Sequence, residues 1–460
     1  MSELTSLSAT GLAGLIRARE VSPVEAVEAY LARIESLNGA LNAIVTLAPD
    51  ALERAREMEA AVMRGDETGA LHGVPVTVKD TFDVAGLRST SGSRLRAGRI
   101  AQRDAEAVRR LRSAGAIILG KTNVPEMALT YDSDNLVFGR TMNPHDYSRT
   151  PGGSSGGEAA SVAASLSAAG LGSDLVGSIR IPAHFCGVFG LKPTASAVSG
   201  VGHCPRMVGR LREAAAFGPL ARSAQDLSLM FEALAGEAFI VDKESEEAPP
   251  ARVAFYTHDG LTKVTAETER AVESAARALS EAGFEVAEAR PPGVERAPAL
   301  WTERFSPDVL EAMREVYRTA EDEEKAGRAV RALLERGSGA PVKTEAERLM
   351  IDEECARLRH ALIEWMAEHP FLLAPVGAVP AFEHGARKVY VDGREMSVFS
   401  AFSYAQSFNT LDMPVVSVPV ARTTEELPLG VQLIGRPHSE RSLLKIARIL
   451  EEASGGFKQG

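Results

Sequence analysis

Cysteine is scarce in this 460-residue chain. Cys186, Cys204 and Cys355 are odd in number and far apart, so a disulfide framework is excluded and a reducing, cytoplasmic location is expected. No CxxC or HExxH spacing occurs. His184, Cys186, His203 and Cys204 are ligand types, but their spacing does not suit one tetrahedral site, so neither metal nor cofactor is expected. Apolar runs stop well short of the ~20 residues of a spanning helix. The opening MSELTSLSAT lacks the basic and apolar segments of a signal peptide. Positive charge is also in deficit: 51 Lys+Arg face 62 Asp+Glu, a net charge of −11. Nucleic acid is a poor partner for such a surface. Internal repeats and low-complexity tracts are absent. The remaining composition, with 45% hydrophobic and 25% charged residues, is that of a globular protein with a sizeable core.

Along the chain, helical and strand patterns alternate. Ser22-Pro23 predicts a helix start, and Val24, Val27, Tyr30, Leu31 and Ile34 follow on a 3.6-residue period. Residues 50–63 read as a second amphipathic helix. Val74 to Val78 is short and β-branched, as is Ala116 to Leu119, and both read as strands. Asp104 is expected to cap the helix between them, which runs through Leu111 and closes at Gly115. Such alternation predicts an α/β fold with helices on both faces of a sheet. Residues 245–252 form the expected linker. Beyond it come a strand at 253–255, a helix near 264–283, a strand at 284–288, helices near 306–335 and 343–368, and strands at 372–374, 415–418 and 430–434.

Three segments stand apart. Val74-Pro75-Val76-Thr77-Val78-Lys79 places a lysine at the end of an apolar strand, where it either snorkels to solvent or does chemistry. Pro151-Gly152-Gly153-Ser154-Ser155-Gly156-Gly157 is either a turn that opens a helix or a site loop. It is no phosphate loop, because no Lys-Ser/Thr follows. It fits the G-x-S-x-G pattern, but a loop sequence precedes it where a nucleophile elbow needs a strand. Gly172-Ser173-Asp174-Leu175-Val176-Gly177-Ser178-Ile179-Arg180 reads alone as a polar loop.

Taken together, these segments resemble the amidase signature family. Gly73-Val74-Pro75 through Lys79-Asp80 matches GVP-x-x-x-KD, and Gly120-Lys121-Thr122-Asn123 matches GKTN. Gly187 through Thr194 matches G-x-x-GLKPT, and Gly218-Pro219-Leu220-Ala221-Arg222-Ser223 matches GP-[ML]-ARS. The likeness runs from about Leu71 to Pro437 and is weakest over 240–370. It implies a single amidase domain over 1–455, with a large mixed twisted β-sheet covered by helices and a helix-rich insertion or cap at about 240–370.

The resemblance also implies roles. Ser178 would be the nucleophile, Lys79 the base, and Ser154 the bridge between them, joined to Gly153 by a cis peptide bond. Backbone N–H groups of Leu175, Val176, Gly177 and Ser178 would form an oxyanion hole. Tyr131 and Ser155 would contact substrate. The chemistry is sound, because burial disfavours a charged amine and can bring a lysine within reach of neutral pH as a base. Val176 departs from the family's Gly-Gly-Ser. A β-branched residue there is either strained, if φ must be positive, or narrows the pocket. Arg180 either binds a carboxylate or holds Asp174 and backbone carbonyls. Trp301, Phe305, Met313, Phe399, Phe402 and Tyr404 are candidates for the core or an acyl pocket, and His203 and Cys204 have no assigned role.

Tyr131-Asp132-Ser133-x-Asn135 and Gly156-Gly157-Glu158 resemble the fatty acid amide hydrolase branch. The expected activity is hydrolysis of a small-molecule amide to acid and amine or ammonia, with a homodimer left open. The alternative is the A subunit of a tRNA-dependent amidotransferase, against which stands Ile181 where those subunits usually carry Gln after the loop arginine.

Overall fold

The computed structural model describes residues 2–66, 68–235, 252–339 and 343–455. Its centre is an 11-stranded sheet. In chain order the strands are β1 (Ile44–Leu47), β2 (Pro75–Lys79), β3 (Ile117–Thr122), β4 (Ala169–Asp174), β5 (Phe189–Lys192) and β6 (Ala216–Ala221). Then follow β7 (Arg252–Phe255), β8 (Glu285–Glu288), β9 (Phe371–Pro375), β10 (Val415–Arg422) and β11 (Pro428–Ile434). Their spatial order is β1-β3-β2-β4-β6-β5-β10-β11-β9-β7-β8. Parallel pairs (β3–β2, β2–β4, β9–β7, β7–β8) mix with antiparallel ones, so the sheet is mixed.

Alternate residues of single strands enter different cores. Val253, Leu373, Val416 and Leu433 join one cluster with the helices Ala9–Arg17, Pro23–Leu41, Ala224–Leu234, Ala266–Glu281 and Glu440–Ala453. Their neighbours Ala254, Leu372, Val415 and Ile434 join another with Arg180–Cys186 and Ser403–Thr410. A period of two with both parities buried means that helices cover both faces.

Local chemistry explains the helix Pro23–Leu41 well. Ser22 accepts from the Glu25 N–H at 3.0 Å while the Glu25 carboxylate accepts from the Ser22 N–H at 2.8 Å, and Pro23 takes the first helical position. The helix Glu106–Ser113 departs from expectation. Its N-cap is Ala105, and Asp104 instead accepts from the Ala85 N–H at 2.8 Å and pairs with Arg112 at 3.2 Å. A partner distant in sequence took the carboxylate that the local pattern assigned to the helix. The expected linker at 245–252 lies almost wholly outside the described residues. Among the described residues the charged stretch 297–365 forms four helices, Ala297–Val316, Ala320–Glu324, Arg328–Gly339 and Glu345–Trp365. Among the described residues no helix is long and apolar enough to cross a membrane.

Candidate active site

Lys79 ends β2, beside β4, whose last residues are Ser173 and Asp174. The parallel pairing carries both strands to the same edge, where the 151–156 loop and the 174–179 loop meet. Lys79 is completely buried. Its Nζ lies 2.7 Å from Ser154 Oγ, 2.9 Å from Ser173 Oγ and 3.2 Å from the Ser173 carbonyl. Burial pushes the amine down to about 7, and the attraction of Asp174 and Glu158 only partly offsets it. Glu158 is itself pushed up to about 8 by burial, against hydrogen bonds from Thr77 and Thr122.

Ser154 follows Gly153 through a cis peptide bond. Its neighbour Ser155 donates its backbone N–H to the Ser178 carbonyl at 3.1 Å, which brings Ser178 to the same loop. The Ser178 hydroxyl forms no hydrogen bond among the described residues, and the residue is 4% exposed. Ser155, expected to contact substrate, lies beside β4. It is fully buried and donates its hydroxyl to the Ser173 carbonyl at 3.2 Å.

The 174–179 loop is pinned from both sides. Asp174 accepts from the N–H groups of Gly177 (2.7 Å) and Ile179 (3.0 Å) and from two Arg180 nitrogens at 3.1 Å. Burial alone would raise the Asp174 carboxyl, but the Arg180 guanidinium and these donors hold it far below the usual range. Arg180 also donates to the Ala405 carbonyl, Gln432 and Asn409. It therefore holds Asp174 and backbone, and has no donor directed at a substrate carboxylate. Gly177 has φ +106°, and a Cβ there would lie 2.7 Å from Ile181 Cδ1 and 2.9 Å from Ala405 Cβ, so only glycine fits. Val176 is not among the residues with positive φ, so its branched side chain carries no backbone strain. Of the four expected oxyanion donors, the Gly177 N–H is taken by Asp174; those of Leu175, Val176 and Ser178 have no partner among the described residues.

The carbonyls of the same loop face an aromatic wall. Tyr131 donates to the Val176 carbonyl at 2.7 Å and Trp301 Nε1 to the Leu175 carbonyl at 3.1 Å. Phe399 stacks on Tyr131 and tilts against Trp301, and it is 42% exposed. Phe402 meets Tyr131 edge-on. Phe305 and Met313 instead lie in a core beneath Trp301, and Tyr404 is buried with its hydroxyl on the Thr262 carbonyl. Sequence reasoning missed Ser173, Asn409 and Gln432. Of these only Ser173 carried a local signal, its place one residue before the loop aspartate.

Buried Cys186 is pushed far above the ordinary thiol range by burial, which makes it an inert side chain. No group of three or more His, Cys, Asp and Glu suited to a metal occurs among the described residues.

Comparison with known proteins supplies the lineage. The family model described as Amidase matches residues 25–444. The chain is 33% identical to the A subunit of the glutamyl-tRNA(Gln) amidotransferase of Carboxydothermus hydrogenoformans, across 98% of each chain. It is 32% identical to an acylamidase of Rhodococcus erythropolis, across 97% of this chain and 95% of that one. A solved fatty acid amide hydrolase superposes with a TM-score of 0.86 at 25% identity, covering 99% of this chain and 86% of that one. A buried lysine beside two serine-bearing loops at one sheet edge, on a chain matched over nearly its whole length, leads to one conclusion: the chain belongs to the amidase signature family, hydrolases of carbon–nitrogen amide bonds.

Proposed function

We propose that the protein hydrolyses a carboxylic amide to acid and amine or ammonia through Ser178, Ser154 and Lys79, by way of an acyl-enzyme. The observation that carries this reading is the 2.7 Å approach of a fully buried Lys79 Nζ to Ser154 Oγ. In the first half-reaction Ser178 Oγ bonds to the amide carbon, and its proton passes through Ser154 to the Lys79 amine. N–H groups of Leu175, Val176 and Ser178 receive the developing oxyanion. The tetrahedral species collapses as the same relay returns the proton to the leaving nitrogen; the C–N bond breaks and an ester to Ser178 remains. Water then attacks that ester, gives its proton to the relay, and the carboxylic acid leaves while Ser178 regains its hydrogen. Acyl groups lie against Tyr131, Phe399 and Val176, an apolar wall suited to aryl or small acyl chains.

The reading extends to the whole chain: residues 1–455 act as one amidase domain in the cytoplasm, the 240–370 region serves as a helix-rich cap, and pairing into a homodimer is compatible with it. The test is labelling by a fluorophosphonate probe with peptide mapping. Modification maps to Ser178 and is lost in Ser178→Ala; modification elsewhere at the same rate refutes the assignment.

A second reading has its own support in the 33% identity to the A subunit of a tRNA-dependent amidotransferase. Buried Ile181, packed against Gly177, stands where those subunits usually carry glutamine and weighs against it. Turnover of simple amides by the purified chain alone separates the two, because the amidotransferase reading requires partner chains for its transfer.

A further inference from the structure

Ser173 Oγ stands between two nitrogens: Lys79 Nζ at 2.9 Å and His203 Nε2 at 3.1 Å. The direction of the hydrogen bonds can be deduced. His203 Nδ1 lies 2.9 Å from the Pro205 carbonyl, which can only accept, so Nδ1 carries the proton. The ring is neutral: burial pushes it down to about 3, the Pro205 carbonyl opposes this, and the nearby Lys79 and Lys121 outweigh Asp83. Nε2 of a neutral ring protonated on Nδ1 is an acceptor, so the Ser173 proton points to His203. Ser173 Oγ can therefore only accept from Lys79.

The consequence falls on the lysine. A neutral amine has two hydrogens and one lone pair. Both hydrogens find acceptors on Ser173, its Oγ and its carbonyl oxygen. The third neighbour, Ser154 Oγ, then meets the lone pair. Without His203, the Ser173 hydroxyl can turn and donate to Lys79, occupying the lone pair that should take the Ser154 proton.

We propose that His203 is a positioning residue: by holding the Ser173 proton it keeps the Lys79 lone pair directed at Ser154. This rests on the reading of Lys79 as the base. His203 packs against Phe82 and Phe217, with ring centroids 4.9 and 5.1 Å away, so a change there also perturbs the core. His203→Phe keeps a ring of similar size and removes the acceptor; His203→Gln places Oε1 where it can accept the same proton.

The experiment measures the rate constant and saturation constant for fluorophosphonate labelling of Ser178 at pH 8, with melting temperatures as a folding control. His203→Phe slows the labelling step about tenfold, the upper range for one hydrogen bond, with the saturation constant unchanged. His203→Gln labels faster than His203→Phe. Ser173→Ala, which has no proton to misdirect, loses less than His203→Phe, and adding His203→Phe to it causes no further loss. A His203→Phe loss that persists in full in the Ser173→Ala background overturns the proposal, as does wild-type labelling by His203→Phe or equality of the Gln and Phe variants. Wild-type labelling by Lys79→Met refutes the base assignment itself; slow labelling by Lys79→Met with wild-type labelling by His203→Phe refutes only the role of His203.

Discussion

Replacing Lys79 by methionine should abolish catalysis and stabilise the protein, with a pH dependence that identifies the cause. Lys79 falls from its ordinary 10.5 to about 7 because burial penalises its charge. At ~1.36 kcal/mol per pH unit, that drop corresponds to about 5 kcal/mol. Below about pH 7 both folded and unfolded chains carry the proton and the full cost is present. Between about 7 and 10.5 the folded chain is neutral while the unfolded chain is still charged, so the cost shrinks as pH rises and vanishes above that window. Methionine fills a similar volume without charge, but Ser154 and Ser173 lose their partner, at roughly 1–3 kcal/mol. The net gain of Lys79→Met over wild type is then about 2–4 kcal/mol at pH 7 and reverses sign between about pH 8 and 10, where the shrinking cost falls to the 1–3 kcal/mol of lost hydrogen bonding. Urea unfolding of both proteins at pH 7, 8, 9 and 10 measures it. In parallel, wild-type kcat/KM falls about tenfold per pH unit below about 7, as the base is protonated. A stability difference that does not change with pH, or a methionine variant less stable at pH 7, refutes the argument.

Other substitutions probe the two loops. Val176→Gly widens acceptance of bulky amides and lowers stability by ~0.5–1 kcal/mol, since glycine frees the unfolded chain; kcat/KM for a small and a bulky amide decides it, and losses on both mean that Val176 fixes the loop. Arg180→Met leaves the Asp174 carboxylate buried without its cation, which costs about 3–5 kcal/mol in urea unfolding. Tyr131→Phe removes the donor to the Val176 carbonyl and slows acylation up to about tenfold with little change in melting temperature.

How far the sequence could be read follows from contact distance along the chain. The helix at Pro23–Leu41 was legible because its capping box spans only three residues. The strand ending in Lys79 was legible because an apolar run closes on a charge. The α/β sheet with helices on both faces matched the alternation of patterns, while its mixed character was implied only by the family resemblance. Asp104 was misjudged because its partner, Ala85, is 19 positions away and competes with the local cap. Asn409 and Gln432 were invisible, since they meet Arg180 across 229 and 252 residues and no local pattern marks them. The link from Lys79 through Ser173 to His203 needed coordinates too, because it joins residues from three segments.

The indole of Trp301 ties the loop before Ser178 to the helix Ala297–Val316. A change in that helix is therefore transmitted directly to the loop. An engineer who replaces the helix Ala297–Val316 with its counterpart from another enzyme also replaces the clamp on the Leu175 carbonyl. Such chimeras should start out sluggish, and recovering speed should require second-site changes in the loop itself. The same linkage constrains position 301 itself, because the loop carbonyl needs a donor of the reach that the indole supplies.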